Sequence, residues 1–283
     1  MLKNSLSAKP LVSIIMNCHN GERYLDQSIK SVLNQSYKNW EVIFFDNKSK
    51  DKSSSILKKY KDSRIKYYKS NKLHPLYKAR NLAINRSKGQ LISFLDVDDW
   101  WSKNKLSKQV NIFLKDKNID ATYANTFLYY EKKKKKIIFI KNKINNVNIT
   151  QKLIDKFEMP ILTTLIKKEI FKKIQFNNKY TIIGDFDFFV RLSLMATIKG
   201  TQEPLAYYRV HDSNLTTKKV YLHFRELEIW VNEIKKKKEF KSINFKKIYS
   251  SIHILKIKYN LTKGNIFQAL KEILKKFFSN LKN

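Results

Sequence analysis

Glycine is scarce in this chain: five in 283 residues, at positions 21, 89, 184, 200 and 264. None falls in a G-x-G-x-x-G or G-x-x-x-x-G-K-[ST] arrangement, so neither the dinucleotide-binding turn nor the P-loop is present. A phosphate bound by this chain must therefore be met by a metal ion or by fixed basic side chains. Cysteine is scarcer still. Cys18 stands alone, which excludes an internal disulfide and fits a reducing cytoplasm. No apolar run approaches the roughly 18 residues of a membrane span. The segment "LVSIIM" (11–16) is short and has no small-residue cleavage site after it, so it reads as a first strand and not as a signal peptide.

Acidic residues are also in deficit, 24 Asp and Glu against 58 Lys and Arg, for a net charge of +34. Nucleic-acid binding, attraction to an anionic membrane surface and a compositional bias toward Lys all fit this excess. Runs such as Lys132 to Lys136 and Lys235 to Lys238 read as solvated faces. Against that background the stretch "LISFLDVDDW" stands out, because it gathers Asp96, Asp98 and Asp99 at the end of an apolar run.

The first hundred residues alternate strand and helix patterns. "LVSIIM", "WEVIFF" (40–45), "RIKYY" (64–68) and "QLISFL" (90–95) read as strands. Between them, Leu25, Ile29, Val32 and Leu33 form one helical stripe, and Asp51 opens a short second helix. Pro75 starts a third helix, carrying Leu76, Ala79, Leu82 and Ala83. Ser102 is placed to cap a fourth, bearing Leu106, Val110 and Phe113. This order predicts an α/β fold with an open, mainly parallel central sheet flanked by helices, and a ligand site beyond the carboxyl ends of its strands. Asn17 to Asn20, Asp46-Asn47 and Asp96 to Asp99 converge on that rim.

Beyond Asp120 the pattern loosens. "IDATYANTFLYY" reads as a strand with "KKKKKIIFI" as its hairpin partner. "MPILTTLIKKEIF" reads as a strand running into a helix, and "GDFDFFVRLSLMA" as a helix with Phe188, Phe189, Leu192 and Met195 inward. From Thr217 onward, 16 Lys and one Arg face five Glu. This part is predicted to be helical, with Ile266, Leu270, Leu274, Phe277 and Leu281 on one stripe beside Lys271, Lys275 and Lys276. The expected division is a first half (10–118), a second half (119–216) and a basic helical extension (217–283).

Asp-x-Asp at a strand end is suited to a hard divalent cation, Mg²⁺ or Mn²⁺, with positions left for diphosphate oxygens. The same acids also suit a purely structural role capping the following helix, Asp99 better than Asp98. At this point the sequence resembles the family 2 glycosyltransferases of the GT-A fold, a Rossmann-related architecture, over residues 10 to 216. "VSIIMNCHNGERYLDQSIKSVLNQSYKNWEVIFFDNKSKD" is similar to their opening β-α-β unit. "ARNLAINRSKGQLISFLDVDDWW" resembles their second block.

The resemblance implies a nucleotide-sugar-binding half (10–118), an acceptor-binding and catalytic-base half (119–216), and roles for individual residues. Asp98 contacts the metal, Asp96 lies near the metal or the ribose, and Asp46 faces the nucleoside. Asn17, Asn20 and Glu22 join the donor-binding set, and Arg80 lies against the diphosphate with Lys78 beside it. Asn47 stands where the family commonly has a second acid. "GDFDFFVRL" is similar to the family's catalytic block, with Gly184 in place of its Glu and Asp185 as the base that deprotonates the acceptor hydroxyl. Asp187 is left to the helix start. "YYRVHDSNLT" resembles the segment that closes over the donor, making His211 a metal or diphosphate contact and bringing Arg209 or Ser213 within reach of phosphate.

The implied protein is an inverting, metal-dependent transferase acting from a nucleotide sugar, UDP-linked by expectation, onto a glycan or lipid-linked acceptor of a surface polysaccharide or lipopolysaccharide. Its expected place is the cytoplasm, with peripheral contact to the anionic inner face of the membrane through 217–283. No nucleic-acid partner is expected. Two other readings stay open on the residues alone: a basic nucleic-acid- or membrane-binding protein without catalysis, and a D-x-D phosphatase. The latter wants Thr or Val two residues past its second Asp, where this chain has Trp100.

Overall fold

The computed structural model describes residues 6–212, 214 and 219–281, with backbone alone for 277–281. Ser213 and the side chains of Phe277 and Leu281 lie outside the described residues. The first half follows the predicted alternation. Strands β1 (Val12–Cys18), β2 (Trp40–Asp46), β3 (Ile65–Lys69) and β4 (Leu91–Phe94) pair in parallel in the order β3-β2-β1-β4. Helices α1 (Leu25–Leu33), α2 (Ser53–Lys58) and α3 (Leu76–Ile84) connect them. Alternation along β1 is what builds two cores: Val12, Ile14, Met16 and Cys18 pack into one layer while Ile15 packs into the other. Strand side chains alternate faces, so a sheet covered on both sides reads as a continuous apolar run.

The second half adds antiparallel pairs. After the Asp96–Asp99 turn comes a two-residue strand, β5 (Trp100–Trp101), and helix α4 (Lys105–Lys115). The expected strand and hairpin partner are β6 (Ala121–Tyr130) and β7 (Lys135–Ile138), paired antiparallel. Helix α5 (Ile149–Asp155) and strand β8 (Leu165–Lys167) follow, and β8 joins β4 to β6 with antiparallel pairs on both sides. Helix α6 (Gly184–Ser193) then leads into a strand the periodicity does not reveal, β9 (Ile198–Val210). It runs parallel to β6 and pairs with β5. Gly200 and Pro204 interrupt its pattern. The register slips between Ala124 and Thr126, opposite that proline, and such a bulge is where a strand tolerates a residue without a donor.

Two helices depart in detail from their expected stripes. In α3, Leu76 and Leu82 are only partly buried, whereas Tyr77, Arg80 and Asn81 are inside. That face is polar for local reasons: Asn81 Nδ2 donates to the Phe176 carbonyl at 2.8 Å, and its Oδ1 accepts the Phe176 N–H at 3.1 Å. Past α6, Met195 is exposed, lying beyond the helix end, while Phe188, Phe189 and Leu192 are buried as expected. Lys105 breaks the rule of solvated lysines. Its ammonium is buried on Ser93 Oγ (2.6 Å) and over the Trp101 ring, and burial holds its pKa well down.

The basic C-terminal part forms α7 (Val220–Ile234), α8 (Lys246–Thr262) and α9 (Ile266–Leu281). Helix α7 is part of the core: Phe224, Leu227, Trp230 and Val231 pack with Phe186 and Phe189 of α6. Helix α9 differs. Ala269 and Glu272 face inward, but Ile266, Phe267, Leu270 and Leu274 are all more than half exposed.

Candidate active site

Four carboxylates and two basic side chains gather where β4 ends. The backbone N–H of Asp99 closes a tight turn onto the Asp96 carbonyl at 3.1 Å, just before β5 pairs with β9. That turn separates the three acids. Asp96 and Asp98 keep about a third of their side-chain surface exposed to the cleft. Asp99 is buried and accepts the Arg209 backbone N–H at 2.8 Å. Burial raises its pKa, with Asp98 and Asp96 adding to the effect.

Arg80 joins the Asp-x-Asp turn to α6. Its Nη2 donates to both oxygens of Asp96 (2.9 and 3.0 Å), and its Nη1 donates to Asp185 Oδ1 (2.5 Å). The guanidinium is 2% exposed. Burial alone would lower its pKa, yet Asp185 and Asp96 together raise it. A fork of donors between two carboxylates is the geometry for which arginine is suited and lysine is not. Asp185 keeps 21% of its side-chain surface exposed. Burial lifts its carboxyl to about 6, Arg80 opposes the shift, and Asp96 adds to it.

Asp185 is held by residues outside the expected set. Gly184 lies against the Tyr77 ring, and a Cβ there would sit 2.3 Å from Tyr77 Cε2. No side chain, glutamate included, fits that position while Tyr77 stays where it is. The segment before α6 is tied instead by Glu226 of α7, whose carboxylate accepts the backbone N–H groups of Thr181 (2.7 Å), Ile182 (2.9 Å) and Ile183 (3.1 Å). Asp187 turns inward and takes Arg191 and the Trp230 indole N–H. Glu226 was not foreseen, and nothing in the sequence sets it apart from Glu228 and Glu233 on the same helix.

On the other side of the turn, His211 Nε2 lies 3.0 Å from Asp98 Oδ2. One carboxylate oxygen and one imidazole nitrogen at the cleft form a donor set that suits Mn²⁺ or Mg²⁺, whose remaining positions are commonly filled by substrate phosphates and water. Among the described residues, no group of three His, Cys, Asp or Glu side chains forms a self-sufficient metal cage. Both oxygens of Asp96 face Arg80. Arg209 is buried and turned onto protein: Nε donates to the Asp98 carbonyl (2.8 Å), Nη2 donates to Gln27 (2.5 Å), and the guanidinium stacks over Tyr24 and Trp100.

The remaining expected residues lie on the rim of β1 and β2. Asp46 is buried, accepting from Tyr67 Oη (2.6 Å) and the Ser49 N–H (2.7 Å). Asn47 uses its whole amide on the His74 backbone (2.8 and 2.9 Å), fixing the entry to α3. Asn20, in the left-handed region at φ 56°, and Glu22 accept the backbone N–H groups of Lys50 and Lys52. Lys78 is exposed on α3. The Nδ2 of Asn17 is buried at this rim with no hydrogen-bond partner among the described residues, a situation uncommon enough to point to a missing acceptor.

The family model for glycosyl transferase family 2 matches residues 13–189. The chain is 31% identical over 220 residues to the UDP-Glc:alpha-D-GlcNAc-diphosphoundecaprenol beta-1,3-glucosyltransferase WfaP of Escherichia coli, covering 77% of this chain and 82% of that one. Its fold is similar to that of TarS 1-349 from S. aureus, solved with UDP-GlcNAc, at a TM-score of 0.66, 14% identity and coverage of 91% and 89% of the two chains. The mannosyltransferase PcManGT from Pyrobaculum calidifontis, solved with GDP-Man and Mn2+, matches at a TM-score of 0.63 and 14% identity, covering 95% of this chain and 74% of that one.

Proposed function

The chain belongs to glycosyl transferase family 2, and from that premise we propose that it is an inverting, metal-dependent transferase that moves a sugar from a UDP-sugar to a glycan or lipid-linked acceptor in surface polysaccharide or lipopolysaccharide synthesis. The observation that carries this reading is the Asp96–Arg80–Asp185 cluster beside the Asp98–His211 pair. It sets a partly buried carboxylate, basic enough to take a proton, next to a donor set for a divalent cation.

In the proposed reaction Asp185 accepts the proton of an acceptor hydroxyl. The oxygen forms a bond to the anomeric carbon while the bond from that carbon to the diphosphate breaks, its electron pair leaving with UDP. A single displacement inverts the anomeric centre. A carboxyl near pKa 6 is mostly ionised at pH 7 yet a stronger base than an exposed aspartate. Arg80 orients Asp185 and links its position to that of Asp96. Asp98 and His211 would hold Mg²⁺ or Mn²⁺, which supplies charge neutralisation for the diphosphate.

The nucleoside is assigned to the rim of β1 and β2. The buried Asn17 amide without a partner supports this, with Asp46 and Asn47 as its floor. Lys78 reaches the diphosphate from α3. Asn20, Glu22 and Arg209 act through the loops and the turn they hold. The donor's base follows the name of the Escherichia coli relative, which uses UDP-Glc. The proposed location is the cytoplasmic face of an anionic membrane. In support, no helix among the described residues is long and apolar enough to cross a bilayer, while α9 leaves an apolar stripe uncovered.

The test is thermal protection by nucleotide. A ligand at 100 times its Kd adds about 2.7 kcal/mol to stability, which for a chain of this size raises Tm by several degrees. UDP with Mn²⁺ is expected to give such a rise, UDP with a chelator much less, and Asp98→Ala is expected to lose the metal-dependent part. Indifference to UDP, GDP and the other nucleoside diphosphates with Mn²⁺ present would sink the reading.

A further inference from the structure

A cavity of about 740 Å³ starts at Arg80, Asp96 and Asp185 and extends between α3, α5, α7 and α8. The end at these residues is charged and the rest of the lining is mainly apolar, although Asp155 and Lys156 also border it. Away from the carboxylates it is walled by Ile154, Phe157, Ile182, Leu227, Ile248 and Leu255, and Ile254, 49% exposed, stands on its rim. A nucleotide donor is polar along its whole length and has no use for such walls. A water-soluble saccharide would leave these aliphatic side chains facing water. Carboxylates at one end of an apolar space are complementary to an amphiphile, with hydroxyls at the acids and a hydrocarbon chain along the walls.

We propose that this cavity is an acceptor subsite that binds the hydrocarbon chain of a lipid-linked saccharide while the saccharide hydroxyl meets Asp185. The assignment rests on the transferase reading above and adds to it the place of the lipid. It also gives the C-terminal helices a direct part in substrate binding, because α7 supplies Leu227 while α8 supplies Ile248, Ile254 and Leu255. Helix α9 packs beside α8 through the His253–Glu272 contact at 2.6 Å, with its apolar stripe left exposed.

The probes are methyl, hexyl and octyl β-D-glucoside below their micelle concentrations, with binding followed by calorimetry on the full chain. A buried methylene tightens binding by about fourfold, so octyl glucoside, with two more of them, is expected to bind roughly fifteenfold tighter than hexyl glucoside. Methyl glucoside is expected to be weakest. Ile254→Asp puts a charge on the rim at a half-exposed position that the fold tolerates, and Phe157→Ala removes part of the wall. Both are expected to lose most of the gain with chain length. Equal binding of all three glucosides overturns the proposal. So does a gain that survives in both variants, since the chain would then sit on the exposed α9 face. UDP with Mn²⁺ on the same wild-type preparation separates the two readings. Retained UDP protection without a chain-length gain removes the cavity assignment alone, whereas loss of both removes the transferase reading.

Discussion

Burial and a neighbouring arginine pull the Asp185 carboxyl in opposite directions, and burial prevails, leaving it at about 6. Two consequences carry opposite signs. In its proposed role as base, Asp185 works only when ionised, so kcat/KM is expected to fall below pH 6 with a slope approaching one. As a buried acid whose folded pKa lies above its unfolded value of about 3.9, it favours folding most below that unfolded value, and the benefit is lost as pH rises through 6. The ionised base is thus held at some cost to stability. Arg80 sets the size of that cost. Arg80→Gln is expected to move the acid limb of the pH–rate profile to higher pH, because the group that lowers the Asp185 pKa is gone. An unmoved limb in that variant would assign the titration to another group.

At the scale of the element, α7 and α6 behave as one unit. Glu226 spans from α7 to three N–H groups ahead of α6, and Trp230 reaches Asp187 within α6. Leaving a buried donor unpaired costs about 1–3 kcal/mol, so Glu226→Ala is expected to destabilise the fold by roughly that amount in denaturant unfolding. Its effect on transfer is expected to be larger in kcat than in KM, because the segment it holds carries the base and not the donor. Strand β9 shows the same dependence on partners. It brings Arg209 and His211 against the Asp-x-Asp turn by pairing with β5, and a two-residue strand such as β5 forms only because β9 is there to receive it.

At the scale of the whole molecule, the net charge of +34 and the uncovered apolar stripe of α9 reinforce one another. Polybasic attraction to an anionic surface is worth on the order of 1 kcal/mol per nearby Lys and decays within a Debye length, while the apolar stripe adds a component that salt does not screen. Flotation with vesicles containing phosphatidylglycerol is expected to carry the protein at low salt and less of it at high salt. Phe267→Glu, at a residue 76% exposed and therefore tolerated by the fold, is expected to abolish the salt-resistant fraction. Equal flotation of variant and wild type would remove α9 from the membrane contact.

Much of the first half was legible from periodicity, because strands buried on both faces and helices with an apolar stripe declare themselves locally. The Asp-x-Asp turn stood out as acids at a strand end, whereas Asp185 and His211 were singled out only through the family resemblance. The long strand β9 was hidden because Gly200 and Pro204 break its pattern. The buried face of α3 was misjudged because Arg80 and Asn81 are inside for their partners and not for their hydropathy. Sequence alone determined the order of elements in the first half, the lack of a glycine phosphate cradle and the positions of the acids. Only the tertiary structure decided that Arg80 bridges Asp96 to Asp185, that Tyr77 occupies the space beside Gly184, and that Glu226 braces the segment leading to Asp185 from about 40 residues further along the chain. Those are contacts between segments far apart in sequence, and no local propensity encodes them.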